Sequence, residues 1–138
     1  MILLDTNVLS ELMKANPTDQ VLAWVDAQPA SELFISTITV AEILYGVSRM
    51  PDGKRRDRLR KAAEEMFEGE FSDRLLSFDY SAAAYYAALV SHRERIGRPI
   101  STEDAQIAAI CLAHDAALAT RNVRDFEECT LDVINPWG

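Results

Sequence analysis

The chain has 138 residues, with 22 acidic and 14 basic side chains and a formal net charge of -8. At 49% apolar and 26% charged it has the composition of a globular protein, and its length suits one core in a single domain over residues 1–138. That acidity excludes a broad electrostatic attraction to nucleic acid or to an anionic membrane. Binding to a polyanion would need a local basic patch or a bridging cation.

Cys111 and Cys129 are too few for a disulfide framework and fit a reducing compartment. The first residues lack a basic segment and a signal-like apolar run. No apolar stretch approaches the ~20 residues of a membrane span. A soluble cytoplasmic domain with no membrane association is expected.

In chain order, the apolar pattern predicts a buried strand at 2–4 and a helix over 7–15 that stops before Asn16-Pro17. A second helix starts from Thr18 or Asp19, with Val21, Leu22, Trp24 and Val25 on its apolar face, and ends near Pro29. Leu33-Phe34-Ile35 reads as a strand, and 39–49 as a helix with Ile43, Leu44 and Val47 on one side. Met50-Pro51-Asp52-Gly53 is a turn. Leu59, Ala62, Ala63, Met66 and Phe67 give 54–68 the spacing of an amphipathic helix. A strand at 75–78 follows, then an Ala-rich helix over 80–96 closed by Gly97 and Pro99. A helix at 102–114, a strand at 117–120 and a short strand at 133–134 complete the chain. Short strands that are apolar throughout, separated by helices, imply an α/β/α sandwich around a mostly parallel sheet. In such sheets ligands sit beyond the carboxyl ends of the strands, at a switch in strand order.

Several acids stand at strand ends or helix starts. Asp5 ends the first strand and could cap the helix behind it. Glu42 in Thr39-Val40-Ala41-Glu42 and Asp104 in Ser101-Thr102-Glu103-Asp104 both fit a capping box, and Asp125 could cap a short turn at Phe126. As a set they suggest more than caps. Asp104 shares a stripe with Ile107, Ala108 and Cys111, and Glu42 with Tyr45 and Gly46, so both are expected to point inward. Three carboxylates converging in a low dielectric repel one another unless a cation neutralises them. An all-oxygen set, with no His pair and no Cys cluster, suits Mg²⁺ or Mn²⁺ rather than Zn²⁺.

The segments ILLDTNV, STITVAEILYGV, EDAQIAA and ATRNVRDF, in that order, resemble a PIN domain. More narrowly they resemble the VapC/FitB-type toxins of bacterial toxin–antitoxin modules, and the similarity extends to Asn135-Pro136-Trp137. The resemblance implies an α/β/α fold and a Mg²⁺-dependent endoribonuclease acting on RNA. It also implies restraint by a small cognate antitoxin protein and a homodimer. Carried over residue by residue, it makes Asp5, Glu42, Asp104 and Asp125 the metal-binding, catalytic acids. The family's fourth acid stands at the place of Asn122 or of Asp125, and here Asp125 is the carboxylate, with Asn122 a polar neighbour. Thr6 and Thr120 stand where the family has hydroxyls beside the site. Two other readings stay open: a binding module for an antitoxin-like regulator without chemistry, and a metal-dependent phosphoesterase acting on DNA.

Among the remaining features, Arg121 and Arg124 bracket Asn122 at a strand's carboxyl end and are candidate RNA contacts. Arg93, Arg95 and Arg98 also flank the proposed site in sequence and are either substrate contacts or surface cations. The basic run from Lys54 to Lys61 opens its helix against the helix dipole. It is either a solvated, ion-paired face or a patch facing RNA phosphate or antitoxin. His92 and His114 lack partners at ligand spacing, and Cys111 belongs to a core face. Trp24, Tyr85 and Tyr86 are either core or dimer contacts. No phosphate-binding loop or G-x-S-x-G elbow occurs.

Overall fold

A computed structural model describes residues 1–138. Strand β1 (Ile2–Leu4) lies at its centre, paired in parallel with β2 (Leu33–Ser36) on one side and β4 (Ala117–Ala119) on the other. The edge strands β3 (Leu75–Leu76) and β5 (Val133–Ile134) are also parallel, giving the order β3-β2-β1-β4-β5. Strand order reverses between β1 and β4, so a crevice opens at their carboxyl ends.

Neighbouring residues of a strand face opposite sides of the sheet. Leu3 and Leu118 join one apolar cluster, with Ile107, Cys111 and Leu89, while Leu4 and Ala119 join another, with Val8, Val21, Ile35 and Phe67. Helices α5 (Tyr80–Arg95) and α6 (Thr102–His114) supply the first cluster. Helices α1 (Thr6–Leu12), α2 (Asp19–Asp26), α3 (Thr37–Ser48) and α4 (Lys54–Glu65) cover the other face. Each fully buried leucine here contributes roughly 2 kcal/mol by leaving water. The predicted α/β/α architecture is therefore the observed one.

Four boundaries differ for identifiable reasons. Helix α1 stops at Leu12 rather than at residue 15, because the Glu11 carboxylate accepts from the Thr18 N–H at 3.0 Å and its hydroxyl at 3.1 Å and turns the chain back. Helix α3 starts at Thr37 because Ser36, not Thr39, is its cap, taking the Thr39 N–H at 3.1 Å. Glu42 is thus well inside the helix, and the capping-box alternative fails for it. Helix α4 gives way to a wider π turn, Met66–Glu70, which seats both Phe67 and Phe71 in the core. The strand expected at 75–78 shortens to two residues, since Asp79 turns away to cap α5 through the Ala82 N–H at 3.0 Å. Two short 3-10 turns, Ala30–Glu32 and Val123–Phe126, also form; Asp125 lies inside the second rather than capping it.

Candidate active site

A cavity of about 420 Å³ opens at the β1–β4 crevice, lined by Asp5, Glu42, Asp104 and Asn122 among others. Asp5 is brought there by β1, Glu42 by α3 and Asp104 by the first turn of α6. Residues from the two ends of the chain therefore share one wall.

Asp5 is 4% exposed. One carboxylate oxygen accepts the Thr6 N–H at 2.8 Å, as the cap of α1, and the other accepts the Thr120 hydroxyl at 2.7 Å. These bonds favour its charge, but desolvation outweighs them, and the nearby Asp104 and Glu42 charges add to it. The pKa rises from an ordinary 3.8 to about 6. Asp104 is also raised, first by burial and then by the Asp125 and Glu103 charges, against the Ser101 hydroxyl. Its backbone N–H donates to the Ser101 side chain at 3.2 Å, which makes Ser101 the cap of α6.

Glu42 reaches the cavity by a different route from the one expected. Its stripe does not face the core: Tyr45 is 65% exposed and Gly46 has open space where a side chain would begin. Instead the Thr6 hydroxyl donates to Glu42 Oε1 at 2.7 Å, while lying 3.0 Å from the Thr39 hydroxyl, which is itself 3.4 Å from that of Ser36. A file of hydroxyls thus holds the carboxylate at the rim.

Asp125 is exposed on the Val123–Phe126 turn, outside the cavity lining, although its charge is felt by Asp104. Asn122 does line the cavity, and its N–H donates to the Thr120 hydroxyl at 3.1 Å. Arg121 lines it too, whereas Arg124 is exposed outside it. Arg93, expected as a substrate contact or a surface cation, is neither: it is 4% exposed. Its guanidinium donates to the carbonyls of Arg98 at 2.6 Å, Asp125 at 3.2 Å and Glu127 at 3.0 Å, and so ties the Asp125 turn to α5. Arg98 pairs with Glu127 at 2.8 Å.

Some lining residues carry no assignment from sequence. Asn7 bonds to Thr120 Oγ1 at 3.1 Å and takes the Arg121 N–H at 3.2 Å, joining the end of β1 to the end of β4. Its place two residues after Asp5 on a helix start was the available signal. Glu11 and Lys14, paired at 2.9 Å, and Trp137 also line the cavity. Lys14 and the Thr18 donors hold Glu11 below the usual carboxylate range. A second groove of about 370 Å³ shares Thr6, Ser10, Lys14 and Glu42 with the first and continues along Ile43, Met50, Arg55 and Arg58. Within the basic run, Arg56 pairs with Asp52.

His92 and His114 are exposed on their helices, and burial pushes the Cys111 thiol far up, so it is inert. Tyr86 packs edge-on against Phe78 at 5.7 Å and belongs to the core side, while Tyr85 is exposed. Trp24 is half-buried against the second cluster.

No three Asp, Glu, His or Cys side chains form a group able to hold a metal ion between them. Mg²⁺ does not require one, because it binds through one or two carboxylates and keeps several waters. An open, oxygen-lined cavity with mutually repelling carboxylates suits such a cation.

The PIN domain profile matches residues 2–129. The chain is 47% identical over 137 residues to "Plasmid stability protein StbB" of Pseudomonas syringae pv. tomato, covering 99% of each. It is 45% identical to "VapC ribonuclease Y4jK" of Sinorhizobium fredii, covering 99% of this chain and 98% of that one. The structure of FitAB bound to IR36 DNA fragment superposes with a TM-score of 0.93 at 38% identity, covering 100% of this chain and 96% of the other. The chain therefore belongs to the PIN domain family, in the branch of the VapC and FitB toxins.

Proposed function

We propose that residues 1–138 form a single nuclease domain, a divalent-metal-dependent endoribonuclease that serves as the toxin of a type II toxin–antitoxin pair. The observation that carries this reading is the meeting of Asp5, Glu42 and Asp104 from three elements around one polar cavity, with Asp5 raised to about 6 partly by the other two. The ribonuclease name of a 45% identical relative supports it.

Asp5 and Asp104, with Glu42 at the rim, would hold Mg²⁺, or Mn²⁺ in its place, and Asp125, exposed outside the cavity, would add its charge through Asp104 rather than as a direct ligand. The bound cation would supply charge against a phosphodiester oxygen and acidify an attacking water. The chain's own groups prepare that chemistry. Thr6 N–H and the Thr120 hydroxyl keep Asp5 in one orientation, and the Thr6 hydroxyl does the same for Glu42. Asn122 offers an amide at the mouth, and Arg121 on the cavity wall and Arg124 on the exposed turn beyond it would contact the RNA. This allows an acidic protein to hold a polyanion without a large basic surface.

The antitoxin takes the groove that runs from Glu42 along Ile43, Met50, Arg55 and Arg58, where apolar and acidic side chains of a small protein find complementary partners. A homodimer would cover exposed aromatics such as Tyr85. No helix is long and apolar enough to cross a membrane, and the toxin acts in the cytoplasm.

The test is cleavage of total RNA, and of a matched DNA panel, by protein freed of its partner. Mg²⁺ or Mn²⁺ should support RNA cleavage, EDTA should abolish it, and Asp5→Asn or Asp104→Asn should lower the rate at least ~100-fold. Cleavage that survives both EDTA and Asp5→Asn would remove the proposal, and cutting confined to DNA would replace its substrate.

A further inference from the structure

Strands β4 and β5 run side by side, with Ala119 opposite Ile134. The segments that leave their carboxyl ends bring Arg121 and Trp137 to one rim, where the guanidinium lies 5.1 Å over the indole ring. Both side chains line the cavity that holds Asp5 and Asp104, and Trp137 is the one apolar residue in that wall.

The main chain of each residue is held by a hydrogen bond, and the indole is also packed. Asn7 Oδ1 takes the Arg121 N–H at 3.2 Å. The Trp137 N–H donates to Asn135 Oδ1 at 3.0 Å, and the indole packs against the second apolar cluster. Arg121 also makes no ion pair, although carboxylates share its cavity. A cation that stacks on an indole and stays unpaired in a cavity lined by four acids, Asp5, Glu11, Glu42 and Asp104, is available to a ligand.

We propose that Arg121 stacked on Trp137 is a platform for the nucleobase adjoining the scissile phosphate of single-stranded RNA, a proposal that rests on the ribonuclease reading above. Unpaired bases are bound by stacking on aromatic rings and guanidinium planes. A base carries no charge, so the acids that repel an unbridged phosphate do not repel it. The platform selects single strands over duplex, since a base must leave its stack to reach it.

The test uses full-length Trp24→Phe protein, in which Trp137 is the only remaining tryptophan. A 2′-O-methylated single-stranded RNA of mixed sequence should change the Trp137 fluorescence, while an abasic oligonucleotide of equal length and charge should not. In cleavage assays Trp137→Ala should raise KM by about 10- to 100-fold with kcat nearly unchanged, and Trp137→Phe should restore most of the affinity. An equal response to the abasic oligonucleotide, a response to an arginine-rich peptide but not to RNA, or an unchanged KM in Trp137→Ala would overturn the platform. If the parent cleaves RNA and these results fail, the nuclease reading stands and the platform alone is lost. If the parent neither binds nor cleaves RNA, both go. Should Trp137→Ala not fold, the fluorescence comparison and Trp137→Phe still decide.

Discussion

Asp5 carries opposing demands. Its bonds to Thr6 N–H and Thr120 favour the ionised form, yet burial and the neighbouring acids raise its pKa to about 6. The unfolded chain releases this proton near pH 3.8, the folded chain only near 6. Between those values the folded state holds the extra proton, so stability falls as pH rises through that window. Above about pH 6 the ionised Asp5 carries its full cost, at about 1.4 kcal/mol per pKa unit. Asp5→Asn, measured without divalent metal at about pH 8, should raise the unfolding free energy by about 2 kcal/mol while abolishing cleavage, and should have little effect at about pH 4. Urea titrations at the two pH values check this. Equal stability of variant and parent at the higher pH would mean that Asp5 is better solvated than its 4% exposure indicates. That this acid needs partners was legible in the sequence, because a carboxylate closing an apolar strand must be satisfied. The Thr6–Glu42 bond was not, since it joins residues 36 positions apart.

Elements were the most legible part of the chain. All five strands and six helices announce themselves by periodicity, and the errors lie at their ends, where a side chain outcompetes local propensity. Glu11 draws Thr18 back and ends α1 early; Ser36, not Thr39, caps α3. Arg93 was beyond reach, because nothing in a helix that reads SHRER tells a buried cation from solvated ones. In the fold it is the tie between α5 and the 122–129 segment. Arg93→Met should leave the carbonyls of Arg98, Asp125 and Glu127 without their donor. The expected cost is about 2–4 kcal/mol, and amide exchange should quicken first around Asp125. Arg93→Lys should recover only part of the loss, since one ammonium cannot span the acceptors that a guanidinium fork reaches. Uniform exchange across the chain in Arg93→Met would instead make this a purely global contribution.

For the molecule as a whole, the parallel sheet and its switch point explain why the candidate site forms where it does, and both follow from the succession of short apolar strands and helices. What could not be read was which residues beyond the helix and strand ends meet there: Lys14 and Trp137 join the wall only after the strands are ordered. The converging acids also couple the whole fold to cations. Adding Mg²⁺ should raise the melting temperature at about pH 8, where the carboxylates are ionised and repel, and should do so much less at about pH 5, where Asp5 holds its proton. Differential scanning fluorimetry of the parent and of Asp5→Asn measures the difference, and the variant should lose most of the metal response. A response equal at both pH values would place the ion elsewhere.

The pairing of β1 with β4 has a consequence for timing. The hydroxyl that orients Asp5 lies 115 residues downstream of it, and the strand that delivers this hydroxyl docks directly on the first one made. While the chain is still being translated, its amino-terminal half can build helices but cannot complete this carboxylate's surroundings. Contacts of such long sequence separation also form slowly. The carboxylate centre is therefore assembled among the last parts of the molecule, which, on the proposed nuclease reading, gives a co-translated partner an interval in which to engage the emerging polypeptide before it can cut.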